Sequence, residues 1–405
     1  MRNKNNFKGI KPVKSVELNS KHIKLRVVIL ILALLTFVGS VIALFYFLLH
    51  TDDGWQSLSI SYGFLNNDKA ISLNYYLGKS GNATNEKKAI ENMTISAIEK
   101  SYKNLDNYSP YEDYNNVYMI NHNYNKDILV DDFLYDALKK AKGYKTLYLG
   151  PIMDYYDAII SSDENDAKNY DPVYNEEINE FFLNTLEYIN DESQINIEIK
   201  DNNIIRLNIS LDYLNYAQEN DIENFISFSW LKNAFIMDYI ADKLINYKYT
   251  YGFLTSVDGY SINLGCDESF MMYLYDYNKV AKNVASFEYQ GRLNIVSKKN
   301  FIINTTDKNY IKQYSEDDRR TYLVDYRTGI SNEASNYYVA ASKNISLSDI
   351  ALNLEKVYIC DEINKSEFLS DISYFWVDSN KIYYSDSSYT IAIHNDEYQE
   401  VKVDA

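Results

Sequence analysis

The sequence predicts an α+β domain of mixed, mostly antiparallel sheets with flanking helices, preceded by one transmembrane helix. Three observations indicate this: a long uncharged run near the N-terminus, helical and strand-like segments interspersed along the rest, and more tight turns than helical crossovers between strands. The 405 residues are 46% hydrophobic and 24% charged, which is a globular balance. No linker or internal repeat divides residues 50–405, so we treat them as one domain.

The uncharged run is residues 27–49, which at about 1.5 Å per residue exceeds the roughly 30 Å hydrocarbon core of a bilayer. It is longer than the apolar core of a cleavable signal peptide, so an uncleaved anchor is favoured. Residues 1–26 hold one acid, Glu17, and eight bases: Arg2, Lys4, Lys8, Lys11, Lys14, Lys21, Lys24 and Arg26. The positive-inside rule therefore predicts a cytoplasmic head at 1–26 and an extracytoplasmic domain at 50–405, held at the cell membrane.

Charge and composition exclude several classes of function. The net charge is −17, and because the head is basic, the domain itself is more acidic still. Such a domain should not bind nucleic acid electrostatically. Two cysteines, Cys266 and Cys360, exclude a disulfide-rich scaffold and leave one bridge open. The four histidines have no metal-ligand partner at helical spacing, so zinc chemistry is not expected.

Apolar residues at helical spacing recur through the domain, and alternating runs between them predict strands. The helices are predicted at 86–104, 127–142, 175–190, 230–246 and 346–358. The strands are predicted at 57–64, 69–77, 195–210, 251–265, 286–304, 336–342 and 372–393. Of these, 195–210 reads as a hairpin with an Asn-Asn turn, 251–265 as a hairpin around Asp258-Gly259, and 372–393 as a terminal meander.

The helix predicted at 346–358 carries a candidate metal site. Asp349 and Asn353 are four residues apart, so their side chains lie on the same face. Two oxygen donors so placed could share a Mg²⁺, which needs few protein ligands when phosphates supply the others. Ser346 three residues before Asp349 equally matches the start of a capped helix, which leaves a purely structural role open.

The stretch 322–357 resembles the ApbE-type flavin transferases (FAD:protein FMN transferases). Their motif is HxxDPxTG, followed by a strand and by a helix with Asp and Thr four residues apart. Four residues match this pattern: Asp325, Thr328, Gly329 and Asp349. Three positions differ from it: Tyr322 replaces the motif His, Tyr326 replaces the Pro, and Asn353 replaces the metal-binding Thr.

The resemblance extends upstream and covers roughly residues 58–395. Segment 235–265 resembles a family helix, strand, Gly-Gly turn and second strand, with matches at Asp238, Gly259, Leu264 and Gly265. Asp258 replaces the first glycine of the turn. Just before the helix, where the family has GGIAKG, residues 229–234 read SWLKNA and include Trp230.

The resemblance implies Mg²⁺-dependent transfer of FMN from FAD to a Thr or Ser of a partner redox protein, with release of AMP. It assigns Asp349 and Asn353 to the metal, and Tyr322 or Asp325 to the catalytic base. The implied flavin-binding residues are Gly259, Asp238, Thr328, Gly329 and Trp230. The replaced positions leave an alternative open, a catalytically inactive scaffold at the cell surface that binds a flavin, another nucleotide or a protein.

Overall fold

The structure, a computed structural model, describes residues 22–49, 51–58, 60, 70–79, 81–386 and 388–403. Most of the predicted basic head at 1–26 and of the predicted strand at 57–64 therefore lies outside the described residues. The described residues form two compact units, which divide between Asp52 and Asp53.

The first unit is dominated by helix α1 (Ile23–Leu49). Its 27 residues span about 40 Å, and the segment Ile23–Phe45 has a mean hydropathy of 3.0. The helix is thus long and apolar enough to cross a bilayer. A membrane anchor and a signal sequence near the N-terminus share these two properties, and α1 is compatible with both.

The second unit interleaves helices and strands. Its α-helices are α2 (Ala83–Leu105), α3 (Val117–His122), α4 (Asp132–Ala141), α5 (Gly150–Ser161), α6 (Glu164–Tyr170), α7 (Glu176–Asn190), α8 (Leu211–Glu219), α9 (Lys232–Asn246) and α10 (Leu347–Val357). Its strands are β1 (Gly54–Leu58), β2 (Ile71–Leu77), β3 (Ile128–Leu129), β4 (Ile195–Lys200), β5 (Ile204–Ile209), β6 (Gly252–Ser256), β7 (Tyr260–Asn263), β8 (Phe270–Asn278), β9 (Val280–Tyr289), β10 (Leu293–Lys299), β11 (Ile311–Gln313), β12 (Arg319–Thr321), β13 (Tyr337–Ser342), β14 (Ser373–Asp378), β15 (Lys381–Tyr384), β16 (Ile391–Ile393) and β17 (Gln399–Lys402).

A nine-stranded sheet organises the described part of this unit, in the order β1-β2-β6-β7-β10-β13-β14-β15-β17. Neighbouring strands in this sheet are antiparallel, except β15 and β17, which are parallel. Helices α2, α9 and α10 cover one face, and the small sheet β16-β9-β8 packs on the other. Side chains along β10 alternate between the two faces of the large sheet. Val296 packs in the core beneath the helices, and Ile295 packs in the core shared with the small sheet. The predicted α+β class is confirmed.

The structure corrects or completes several of these predictions. The meander predicted at 372–393 is wrong in its last strand, because β14 and β15 pair in the large sheet whereas β16 pairs with β9 in the small one. The helix predicted at 127–142 begins only at Asp132, because Ile128–Leu129 pair with β5 and the Asp131 side chain caps the helix by accepting from the Phe133 N–H. Cys266 and Cys360 are both free thiols, so the bridge that the sequence left open is not formed.

Candidate functional site

The β6–β7 turn, β10, the start of α9 and the segment after β12 surround a cavity of about 430 Å³. A second cavity of about 330 Å³ shares part of its lining, namely Trp230, Asp258, Tyr310 and Tyr322. We call the two together the Trp230 cleft. Each cavity has the size of a small-molecule site, about 300–1,000 Å³. Of the residues predicted for the site, Trp230, Gly259 and Tyr322 line this cleft.

Trp230 lies in a short 3₁₀ turn, Ser229–Leu231, that leads into α9. Its carbonyl oxygen accepts a hydrogen bond from the Tyr260 hydroxyl (2.9 Å), and its side chain is buried. The indole Nε1–H is also buried, and among the described residues it has no hydrogen-bond partner. Leaving this buried donor unpaired costs roughly 1–3 kcal/mol.

Lys298 supplies positive charge to the same cleft. It lies on the face of β10 that carries the buried Val296, and its ammonium donates to the Asp258 carbonyl oxygen (2.7 Å) above the Tyr260 ring, 3.7 Å from the ring centre. In the described part of the chain it has no carboxylate as an ion-pair partner. Burial lowers the pKa of Lys298 to about 8, and the charge of Asp258 opposes this shift. At neutral pH the ammonium is therefore mostly protonated and can bind an anion.

Gly259 is required by the sheet. Its φ is +94°, and a Cβ there would lie 1.9 Å from the Ser297 carbonyl oxygen. The Ser297 N–H in turn donates to the Gly259 carbonyl oxygen (2.7 Å). A side chain at this position would push the β6–β7 turn away from β10, so the close backbone contact alone explains the glycine.

Tyr322 follows β12 and lines both cavities. Burial raises the pKa of its phenol, and the nearby Asp157 carboxylate raises that pKa further. Asp157 also accepts a hydrogen bond from the Tyr108 hydroxyl (2.5 Å). The Tyr322 phenol is therefore protonated at neutral pH and is poorly suited to act as a base.

Asp325, Thr328 and Gly329 form a closed turn beside the cleft and do not line it. The Asp325 carboxylate is 1% exposed and accepts from Nε (2.8 Å) and Nη2 (2.5 Å) of Arg327. Its backbone carbonyl accepts from the N–H groups of Thr328 and Gly329. Gly329 has φ +73°, and a Cβ there would approach Phe182 to 2.9 Å. Because both carboxylate oxygens bind the arginine, Asp325 is a structural residue of the turn in this conformation.

The start of α10 confirms the capping pattern read from the sequence. The Ser346 hydroxyl accepts from the Asp349 N–H (3.3 Å). The Asp349 carboxylate accepts from that same hydroxyl and from the Lys140 ammonium (3.0 Å). One turn further, the buried Asn353 amide donates to the Tyr374 hydroxyl (3.0 Å).

Asp238 on α9 also serves this helix start. Its two carboxylate oxygens accept from the backbone N–H groups of Leu347 (3.0 Å) and Ser348 (2.8 Å). Burial raises its pKa, while these two bonds favour the ionised form and lower it. Asp238 therefore positions the first turn of α10, and it does not line the Trp230 cleft.

The residues assigned to magnesium do not fit that ion in this arrangement. Asp349 is paired with a lysine, the Asn353 amide is bonded within the core, and neither residue lines the cleft. Within the described ranges, no group of three or more His, Cys, Asp or Glu side chains could hold a metal ion. Of the residues Gly259, Asp325, Asp349 and Asn353, only Gly259 lines the Trp230 cleft.

Comparison with known proteins bears on the fold. No protein-family model and no curated protein matches the chain. Among solved structures it is similar to the flavin transferase ApbE from Vibrio cholerae, with 12% identity and a TM-score of 0.52, over 83% of this chain and 98% of that one. The chain is a divergent example of the ApbE fold.

Two further ApbE structures are similar at a TM-score of 0.48. The ApbE protein from Thermotoga maritima has 10% identity and covers 74% of this chain and 86% of its own. The apo form of the Pseudomonas stutzeri flavinyl transferase ApbE also has 10% identity and covers 81% and 93%.

Ser229 has a backbone conformation that glycine favours. Its φ is +36°, and it stands where the resemblance places the first glycine of GGIAKG. The Ser229 N–H is held by the Ser227 hydroxyl (3.1 Å). A positive φ is strained for serine, because its Cβ crowds the backbone in the left-handed region.

Two lysines were not predicted as functional residues: Lys298 in the Trp230 cleft and Lys140 beside the start of α10. One signal for Lys298 was present in the sequence, because it lies on the same strand face as Val296 and lysine is rarely buried. Lys140 had no such signal. It lies on the polar side of an amphipathic helix, and only the tertiary structure brings it to Asp349.

Proposed function

We propose that this chain binds a flavin nucleotide, or a closely related nucleotide, in the Trp230 cleft and does not transfer it. The observation that carries the proposal is that a buried ammonium and a buried indole N–H belong to residues lining one aromatic cleft. These are the Lys298 ammonium, which has no carboxylate partner among the described residues, and the buried Trp230 Nε1–H, which has no acceptor there.

A flavin nucleotide matches these groups chemically. Its ring system is flat and carries carbonyl oxygens and ring nitrogens that accept hydrogen bonds, and its phosphate is an anion. Trp230 and Tyr322 would hold the ring, and Lys298 would bind an anionic or acceptor group. Bound flavin would supply redox chemistry, and this chain's residues would contribute binding and orientation.

Transfer of FMN from FAD with Mg²⁺ and release of AMP, which the resemblance implies, has less support. It needs a base and a cation. Burial raises the pKa of Tyr322, Asp325 is bound to Arg327, and Asp349 is bound to Lys140. These contacts favour the inactive alternative, so FAD is proposed as a ligand and Mg²⁺ is not included.

The proposed location follows from charge and hydropathy. We infer that α1 is an uncleaved anchor, that residues 1–26 face the cytoplasm, and that residues 50–405 lie outside as one domain, because the bases precede the span. A partner would then be an extracytoplasmic or membrane-bound redox protein, and nucleic acid is not expected as a partner.

The test is a binding titration on the full chain in detergent. FMN and FAD are added with and without Mg²⁺, and flavin fluorescence and released AMP are followed. We expect saturable binding that Mg²⁺ does not change, and no AMP. Lys298→Met should weaken binding by about tenfold or more, the worth of a hydrogen bond to a charged group, and Lys282→Met on the exposed part of β9 is the matched control.

Two results would contradict the proposal in different ways. Release of AMP that depends on Mg²⁺ would make the chain a transferase. No binding of either flavin at millimolar concentration would leave a scaffold that takes no flavin.

A further inference from the structure

Helix α4 brings a lysine to the first turn of α10. The Lys140 ammonium donates to the hydroxyls of Ser346 (2.9 Å) and Ser348 (3.2 Å) and to the carboxylate of Asp349 (3.0 Å). An ammonium group has three N–H donors. All three donors of Lys140 therefore have an oxygen acceptor at the same helix start.

We propose that the Lys140 ammonium is a built-in cation that holds the place of a divalent metal at the start of α10. The acceptors around it, one carboxylate and two hydroxyls, are hard oxygen ligands of the kind that Mg²⁺ takes. In this chain those oxygens already coordinate a cation that is covalently part of the protein. The inference does not depend on which ligand the Trp230 cleft binds.

The surrounding charges support this role. Asp238 and Asp242 lie on the neighbouring helix α9 and line, together with Lys140, a surface pocket at the α4–α9 junction. Burial raises the pKa of both carboxyls, and the positive charge of Lys140 acts against that rise in each case. Lys140 therefore helps to compensate negative charge from α9, together with Arg292 near Asp242, and it also compensates the charge of Asp349, as a bound metal ion would.

A divalent ion would have to displace this ammonium. Mg²⁺ gives up its water reluctantly and demands near-octahedral geometry, and it would meet a like charge at contact distance. The ion pair itself is partly exposed, with side chains 38% and 42% accessible, so it contributes little to stability. Loss of Lys140 should therefore change metal binding more than it changes folding.

The test measures binding of Mn²⁺, a spectroscopic substitute for Mg²⁺, to the full chain in detergent by electron paramagnetic resonance. The variants are Lys140→Met, Asp349→Asn alone, and the two changes combined. Lys139→Met is the control on the exposed neighbouring position of α4. We expect the wild type and Lys139→Met to show no site at α10. Lys140→Met should gain one Mn²⁺ site, at least about tenfold tighter than any binding in the wild type, and the double variant should lose it.

Two outcomes would overturn the inference. The first is a wild-type Mn²⁺ site that Asp349→Asn removes, and this measurement stands even if Lys140→Met does not fold. The second is a folded Lys140→Met protein, judged by near-ultraviolet circular dichroism, that gains no Mn²⁺ site. Neither outcome involves flavin, so this failure is distinct from failure of the proposed function.

Discussion

Replacing Gly259 by alanine separates a structural glycine from a ligand-binding one. The new Cβ would lie 1.9 Å from the Ser297 carbonyl oxygen, so the turn and β10 must move apart. The residue would also have to keep φ near +94°, which costs a non-glycine residue about 1–3 kcal/mol. Loss of the Ser297 N–H to Gly259 bond adds about 1 kcal/mol.

We therefore expect Gly259→Ala to lower the free energy of unfolding by about 2–4 kcal/mol. The matched control is Gly291→Ala, which also has a positive φ, +72°, but no atom within 4 Å of the new Cβ. It should lose only about 1–2 kcal/mol, from the backbone conformation. Urea titrations of the full chain in detergent, followed by circular dichroism, give both values.

Stability and FMN affinity of the two variants together decide which role Gly259 has. If Gly259→Ala is as stable as Gly291→Ala while its FMN affinity falls, the glycine serves the ligand and the argument from the Ser297 contact is wrong. If stability falls and the residual folded protein binds FMN normally, the glycine serves the sheet.

Three further outcomes are expected. Burial lowers the pKa of Lys298 to about 8 from 10.5, so FMN affinity should fall as pH rises through about 8, and a Lys298→Met variant with the same pH profile as the wild type would contradict this. By linkage, the contribution of Lys298 to the free energy of unfolding rises between about pH 8 and 10.5, because the unfolded chain binds more protons there. Ser229→Gly should raise the free energy of unfolding by about 1 kcal/mol in the same urea titration, because φ +36° is strained for serine, and a destabilised variant would show that the Ser229 hydroxyl matters more. Protease added to intact cells should digest residues 51–405, and digestion of 1–26 alone would reverse the proposed orientation.

Local chemistry made parts of this fold predictable. The helix predicted at 346–358 is observed as Leu347–Val357 with Ser346 as its cap, because the capping signal lies within four residues of sequence. The hairpin predicted around Asp258-Gly259 is observed as β6–β7, because only glycine readily takes the positive φ of that turn.

The β8–β9 hairpin was not predicted. Lys279 in its turn has a positive φ (+64°), and the turn lacks the Asn-Gly or Asp-Gly pair that is typical of two-residue hairpins. Tertiary contacts compensate for the weak turn, since Leu274 and Phe287 of this hairpin are buried against the large sheet. A propensity argument cannot include that contribution.

The candidate site was predictable only in part. Trp230, Gly259 and Tyr322 were found from a motif, and the structure brings them to one cleft. Asp349 was found from the same motif, but the partner that decides its chemistry lies far away in sequence, because Lys140 is 209 positions from it. Such a contact depends on how α4 meets α10, which no local pattern encodes.

The pairing of β2 with β6 sets a time at which this domain can first assemble. Ile71–Tyr75 of β2 find their partners at Gly252–Ser256, after most of the helical layer has been made. At 5–20 residues per second, synthesis of the intervening chain takes on the order of 10–30 s. Until then the buried side of β2, including Leu73, has no neighbouring strand on that edge. Chains that stop between Gly78 and Tyr251 would keep this edge open permanently, and we expect them to aggregate or be degraded rather than to fold as smaller domains.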